Sequence, residues 1–243
     1  MSINKPYFRI YRPGVFADYC TDIKNAENCA MLCRAYNLLE NDLRKIFEYV
    51  EPCTHNLNTY SHRMYELFLR ASTEFESNAK GILKANGYSK RDQYMKVQDY
   101  VKLESATKLS EYQLEIGFWR PSKMVITPFA EWKNGHSLKW YQDYNAVKHN
   151  RDANFHLATL ENTLKSVAAV LAILYAQFDF NTLTSHTANP MIMSTDNENI
   201  TPLSDTMFQV IKPHTWSADE KYQFDWVVLK SNIEPFQKYP FKI

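Results

Sequence analysis

The polar residues that could carry out chemistry are concentrated in one short stretch, residues 140–151. This stretch places an amide, an ammonium group, an imidazole and a guanidinium close together, on Asn145, Lys148, His149 and Arg151. Helical residues three or four apart present their side chains to the same small volume, so Asn145 and His149 could contact one phosphate or one partner side chain, with Lys148 beside them. The spacing predicts a site for phosphate binding or for general base catalysis.

The same residues also fit a solvated helix face that ends in a polar turn. In that interpretation, His149 and Arg151 interact with the negative C-terminal end of the helix dipole. Trp140 and Tyr144 lie on the adjacent side of the helix at 100° per residue, and we take both as candidate binding residues. The stretch alone leaves both interpretations open.

A second predicted helix supplies partner groups for this stretch. Asn78 lies within its apolar arc, where a polar side chain needs a partner, and it is a further candidate binding residue. Glu74 lies at the edge of the arc and could orient His149 as a general base or pair with Arg151. A plain salt bridge between the two helices is equally compatible with this placement.

Three other polar residues are predicted to have structural roles. Glu76 and Lys80, four residues apart, fall on the opposite side of the second helix and predict a surface ion pair. His156 projects near Leu160 on the last helix and predicts a hydrogen-bonded core histidine.

Four helical segments are predicted to position these residues. Apolar side chains recur with a 3.6-residue period, and glycine, at 5 of 243 residues, is scarce. The first helix is predicted over 25–49, the second from the N-cap Ser61 to Asn86-Gly87, the motif helix over 137–150 and the last over 153–178. The second half of the last helix is apolar nearly all round, which predicts the central helix of the fold.

The remaining segments favour short β-structure. Residues 112–127 alternate in polarity like a hairpin, and the turn-rich chain after Asp179 contains β-prone pieces at 207–211 and 222–229. The strand-like segment 7–11 could pair with them.

The predicted fold class is therefore mainly α: an antiparallel helical bundle with a short β-hairpin insertion and a small β-containing C-terminal appendage. We expect a helical domain over 1–180 and a tail packed on the bundle over 181–243.

Composition excludes several classes of function. The net charge of +1 gives no global attraction to nucleic acid or membranes, so a nucleic-acid site must be a local patch. The longest apolar run, 167–176, is about half of what spans a bilayer, and residues 1–6 lack the apolar segment of a secretory signal, so we expect a cytoplasmic protein without a membrane partner. Nucleotide-binding glycine loops and the usual zinc-protease and serine-hydrolase motifs are absent from the sequence. The cysteines, Cys20, Cys29, Cys33 and Cys53, are predicted to be mostly small buried thiols rather than a metal site.

The order of these features resembles a known family. The segment Tyr144-Asn145-Ala146-Val147-Lys148-His149 is similar to the HEPN motif, which has an Arg, a polar residue, three variable positions and a His. The wider pattern resembles bacterial HEPN-like proteins over roughly residues 60–178. Its parts, in chain order, are Glu74-Phe75-Glu76, Pro128-Phe129, Trp132, and the motif with Arg151 before an Ala-rich helix. The motif's Arg is replaced by Tyr144.

The resemblance implies a function. Catalytic HEPN proteins are metal-independent ribonucleases, often toxins or phage-defence factors, in which a homodimer brings two motifs together over RNA. By that likeness, His149 would act on the 2′-hydroxyl or the leaving oxygen, Asn145 would position the phosphate, and Lys148 or Arg151 would stabilise the developing charge. No cofactor is implied. HEPN domains that lack the Arg can instead serve as interaction or dimerisation modules for a protein partner, and in that case the motif is structural.

Overall fold

The computed structural model describes residues 3–185, 200–202 and 206–242, and in this part of the chain the protein is mainly helical. The helices are α1 (Cys29–Phe47), α2 (His62–Ala85), α3 (Val97–Tyr100), α4 (Glu104–Thr107), α5 (Lys139–His149), α6 (Arg151–Asn154), α7 (Leu160–Ser185) and α8 (Trp226–Leu229). Short 3₁₀ turns connect several of them.

The long helices form a bundle in which successive members alternate in direction. Arg70 of α2 contacts Asp42 of α1 at 2.6 Å, and the earlier α1 residue Leu38 lines a cleft with the later α2 residue Thr73, so these helices are antiparallel. In contrast, α2 and α7 run parallel, because Thr163 bonds the Met64 carbonyl and Gln177, further along α7, bonds Asn78. The helical bundle predicted from the periodicity is confirmed.

The core lies around α7, as its composition predicts. Every residue from Val167 to Ala176 is fully buried, and α1, α2 and α5 all pack against this helix. At about 25 cal/mol per Å² of apolar surface, burying such an all-round apolar helix is the main driving force that holds the bundle together.

Helix ends follow local capping rules only in part. Ser61 caps α2 as predicted, because its Oγ accepts a hydrogen bond from the Met64 amide at 3.2 Å. The predicted start of the last helix near residue 153 is wrong, since α7 begins at Leu160. The amide of Leu160 donates to Thr59 and that of Glu161 to Leu57, so backbone pairing with a distant segment sets this boundary. His156 consequently lies before α7 and is exposed, not in the core.

A four-stranded antiparallel sheet packs beside the bundle. Its strands are β1 (Gln113–Ile116), β2 (Met124–Ile126), β3 (Ile200–Pro202) and β4 (Gln209–Ile211), in the order β2-β1-β4-β3. The predicted hairpin corresponds to β1 and β2, with Leu114 opposite Ile126. The predicted strand at 207–211 is β4, but the β-prone segment 222–229 ends in helix α8 because Asp225 caps the Val227 and Val228 amides.

The C-terminal region is joined to the rest of the fold by specific contacts. The buried Glu40 of α1 accepts hydrogen bonds from the Met207 amide at 2.6 Å and from the Thr206 hydroxyl at 2.8 Å. Isolated parallel bridges pair Ile3 with Tyr222 and Tyr7 with Gln237, so the N-terminal segment does pair with the tail. Strands from both sides of residue 181 share one sheet, while a domain division at that residue stays a prediction.

The remaining findings concern the cysteines and the length and apolar character of the helices. Cys20, Cys29 and Cys33 are buried free thiols, as predicted, and Cys53 is half-buried. Across the described residues, none of the helices has the length and apolar character needed to cross a membrane.

Candidate functional site

Two of the candidate binding residues lie in the core between α5 and α2. Trp140 is 1% exposed, and its indole N–H donates to the Pro128 carbonyl at 2.8 Å while its ring packs 5.5 Å from Phe75. Tyr144 is also 1% exposed, with its ring 6.1 Å from Phe68. Both aromatic rings therefore pack α5 against α2 and are not available at the surface.

A carboxylate that the sequence assigned to the surface reaches α5. The Tyr141 hydroxyl donates to Glu76 at 2.8 Å, and Lys80 lies 3.8 Å from the other Glu76 oxygen. Burial, together with the Glu76 charge, raises the pKa of Tyr141, which keeps this phenol a hydrogen-bond donor. Glu76, rather than Glu74, connects α2 to the motif helix.

Glu74 lies on a different side of α2. It is half-buried and lines a cleft of about 360 Å³ with Leu38 and Leu39 of α1. The structure does not bring Glu74 together with His149 or Arg151.

Asn78 is buried, as predicted, but its partner comes from α7. Its side-chain oxygen accepts from Gln177 at 2.8 Å, and the Gln177 oxygen accepts from the Arg9 guanidinium at 2.8 Å. Burial lowers the pKa of Arg9 to about 10, since a charged group in the core loses hydration. A Cβ at position 81 would lie 2.4 Å from Arg9, so Gly81 provides the space that this network needs.

The cation of Lys148 is held over Tyr144. The ammonium donates to the Tyr144 hydroxyl at 2.9 Å and lies 5.0 Å from the centre of its ring. This hydrogen bond raises the pKa of Lys148, and the charge of Glu76 acts in the same direction. Lys148 is therefore a cation fixed at one position on the protein surface.

Asn145 and His149 are accessible. Asn145 is half-buried and His149 is exposed at the C-terminal end of α5. Neither side chain makes a hydrogen bond or an ion pair within the part of the chain that the structure describes. Both are therefore free to contact a ligand.

A tight turn after α5 brings Arg151 back onto α2. Asn150 leaves helical geometry and caps α6 by accepting from the Ala153 amide at 3.3 Å, while the Asn154 side chain donates to the Ala146 and Asn150 carbonyls. The Arg151 guanidinium consequently lies over an aromatic ring of α2.

Five side chains form what we call the Phe155 cluster: Tyr60, His62, Tyr65, Arg151 and Phe155. The Arg151 guanidinium lies 5.5 Å from the Tyr65 ring centre and 6.0 Å from that of Phe155. The His62 and Tyr60 rings lie 4.7 and 5.6 Å from the Phe155 ring.

We call this cluster, together with Lys148 and His149, the α5–α6 surface. Among the described residues, Lys148, His149 and Arg151 have no carboxylate within ion-pair distance, and Tyr60 is 49% exposed. The surface can therefore offer positive charge and aromatic faces to the same ligand.

A large cavity that the motif analysis missed lies elsewhere, between the N-terminal segment and the C-terminal region. Its volume is about 1040 Å³, and Lys212 reaches into it while paired with the buried Asp179 at 3.0 Å. The two walls are distant in sequence, so no local motif marks the cavity. The abundance of aromatic residues in both terminal segments is the only sequence signal for it.

At the level of sequence and of structure, the chain matches no protein-family model, no curated protein and no solved structure.

Proposed function

We propose that this chain is a HEPN-like RNA-binding protein that acts as a homodimer in the bacterial cytoplasm, in stress response or phage defence. The observation that carries the proposal is the α5–α6 surface, where Arg151 lies over the half-buried rings of Tyr65 and Phe155, next to the exposed Tyr60. Among the described residues, neither Arg151 nor Lys148 has a carboxylate within ion-pair distance. Cations neutralise RNA phosphates and aromatic faces stack on unpaired bases, so this combination suits single-stranded RNA.

RNA binding at this surface is compatible with the chain's net charge of +1. Only a local cationic patch is needed for phosphate contacts, and Lys148 and Arg151 belong to the segment that resembles the HEPN motif. The buried members of the motif, Trp140 and Tyr144, act as positioning residues in this account, because they fix the axis of α5 relative to α2.

Metal-independent RNA cleavage is the second candidate activity. The exposed His149 imidazole has no partner among the residues that the structure describes and is adjacent in sequence to Lys148, so it is available to take a proton from a 2′-hydroxyl. Glu74 faces α1 and cannot orient the His149 imidazole. In this candidate activity, a second copy of the chain would supply the group that orients His149.

Binding is tested with a fluorescein-labelled single-stranded RNA in a mobility-shift assay. Tyr60→Leu and Arg151→Gln should each weaken binding, whereas the matched controls Tyr94→Leu and Arg34→Gln change similarly exposed residues outside the surface and should not. Equal RNA affinity in all four variants would overturn the assignment of the surface. Incubation of the same RNA in EDTA, followed by a denaturing gel, reports cleavage separately.

Dimerisation is tested by analytical ultracentrifugation of the wild type with and without RNA. We expect a dimer in both samples. If the protein is a monomer and still binds RNA at the α5–α6 surface, the binding proposal stands. A cleavage site formed by two copies of the chain would then be excluded.

A further inference from the structure

The cavity beside the sheet is lined by aromatic side chains together with polar and charged ones. It lies between residues 11–18 and residues 212–227, with Tyr112 closing one side. Its volume of about 1040 Å³ is at the upper end of the range for small-molecule sites. The aromatic lining residues are Tyr11, Phe16, Tyr112, Trp216, Phe224 and Trp226.

One half-buried cation, Lys212, lines this cavity. The Lys212 ammonium lies 3.0 Å from an Asp179 oxygen and 5.3 Å from the centre of the Tyr11 ring, and its side chain is 14% exposed. Asp179 does not line the cavity, and its ion pair with Lys212 fixes the position of the ammonium. The ammonium has three N–H donors, so the pair leaves donor capacity for a ligand.

Asp179 holds this position in an unfavourable backbone conformation. Its φ of 56° and ψ of −176° lie in a region that is costly for residues other than glycine. Such conformations persist where the surrounding structure over-determines them, and they cluster at ligand sites. The unfavourable backbone conformation and the ion pair with Lys212 thus occur at the same residue, next to the cavity.

The mouth of the cavity carries mixed charge. His214 and Lys221 are exposed, and neither makes an ion pair within the described part of the chain. Asp18 and Asp225 also line the cavity, and Asp225 is engaged in capping α8. Lys221 is thus outnumbered by two carboxylates at the mouth, so an anionic group gains no net attraction there.

We propose that this cavity binds a free oxopurine nucleoside or base, with the ring stacked between aromatic walls and its carbonyl edge accepting from Lys212. The O6 and N7 atoms of guanine are adjacent acceptors of the kind that a lysine ammonium recognises. Adenine presents a donor in place of O6 and should be disfavoured. Recognition of the ring rather than of phosphate also agrees with the absence of a glycine-rich phosphate loop in the sequence.

The test is isothermal titration calorimetry of the full chain with guanosine, GMP, adenosine and inorganic phosphate. We expect saturable 1:1 binding of guanosine, binding of GMP within about threefold of it, adenosine weaker by at least about tenfold, and no heat from phosphate. Absence of guanosine binding, or equal binding of adenosine, overturns the proposal.

Variants locate the binding. Lys212→Met should weaken guanosine binding at least about tenfold, and Lys212→Arg, which keeps the ion pair with Asp179, should retain part of it. If Lys212→Met does not fold, Phe16→Ala at the exposed mouth should still weaken binding several-fold, while Phe118→Ala, a matched exposed phenylalanine outside the cavity, should not. Guanosine binding unchanged in folded Lys212→Met and Phe16→Ala would place the ligand elsewhere and overturn the proposal. Arg151→Gln should leave guanosine binding unchanged, which separates this site from the RNA surface.

Discussion

Lys148 donates a hydrogen bond to the hydroxyl of Tyr144, one helical turn earlier, across 2.9 Å. The relationship explains how α5 presents a fixed cation near its C-terminal end. The Tyr144 ring is buried, and its hydroxyl accepts a hydrogen bond from the Lys148 ammonium at the edge of the core. Position 144 is therefore a packing position in this chain, and the charge lies at position 148.

Substituting Tyr144 with arginine should destabilise the protein. Tyr144→Arg would place a cation in a site that is 1% exposed, and we expect the free energy of unfolding to fall by about 3 kcal/mol or more in urea denaturation. Tyr144→Phe keeps the ring, loses only one hydrogen bond and should cost about 1 kcal/mol. Wild-type stability of Tyr144→Arg would refute the burial argument.

Replacing His149 should leave the fold intact. The side chain is exposed and has no partner among the described residues, so His149→Ala should change the free energy of unfolding by less than about 0.5 kcal/mol. His136→Ala, another exposed histidine, is the matched control. A loss above about 1 kcal/mol in His149→Ala alone would assign this residue a structural role and weaken the case for its use in cleavage.

The Asn78 network should be essential for stability. Gln177→Leu removes the acceptor for the buried Arg9 guanidinium and the donor to Asn78, and we expect a loss of about 3 kcal/mol. Adding Arg9→Met removes the orphaned charge, so the double variant should lose less than the sum of the two single variants. Strict additivity in the double-mutant cycle would show that the two residues are not coupled.

Acid stability should depend on Glu220. Burial alone would raise the pKa of this carboxyl, but hydrogen bonds from Ser217 and Lys108 outweigh it and lower the pKa to about 2, from an ordinary value of 4.5. A lowered folded-state pKa stabilises the fold above pH 4.5, and this stabilisation is lost as the pH falls through the folded pKa near 2.

The Glu220 contribution can be isolated by substitution. We expect Glu220→Gln to lose about 1–2 kcal/mol at pH 7, allowing for solvent screening of a partly exposed pair, and to show a flatter dependence between pH 5 and pH 2. Glu234→Gln, at an exposed carboxylate without an ion pair in the described residues, should follow the wild-type curve. Identical pH profiles for Glu220→Gln and the wild type would exclude this linkage.

The sequence predicted features that depend on local rules. The cap at Ser61, the apolar stripes of α1 and α2, the central position of α7 and the strand at β4 all follow from residue type and period. These are short-range or periodic properties, so a single sequence contains them.

Features set by distant contacts were not predictable in the same way. The start of α7 depends on backbone bonds from Leu160 to Thr59, which no local signal marks. Glu76 rather than Glu74 reaches α5 because α2 is contacted by α1, α5 and α7, and a helical period does not say which neighbour covers which arc. The Lys212 cavity joins two ends of the chain, so only the folded structure brings its walls together.

The central claim is that the α5–α6 surface binds RNA, and the salt dependence of binding tests it most directly. Fluorescence anisotropy with a single-stranded RNA should give a linear fall of log K with log salt, with a slope of about −0.7 for each phosphate contact. Lys148→Gln/Arg151→Gln should reduce the magnitude of the slope by about 1.4, whereas Lys133→Gln/Arg34→Gln should leave it unchanged. Equal slopes for the wild type and the Lys148/Arg151 double variant would contradict the account.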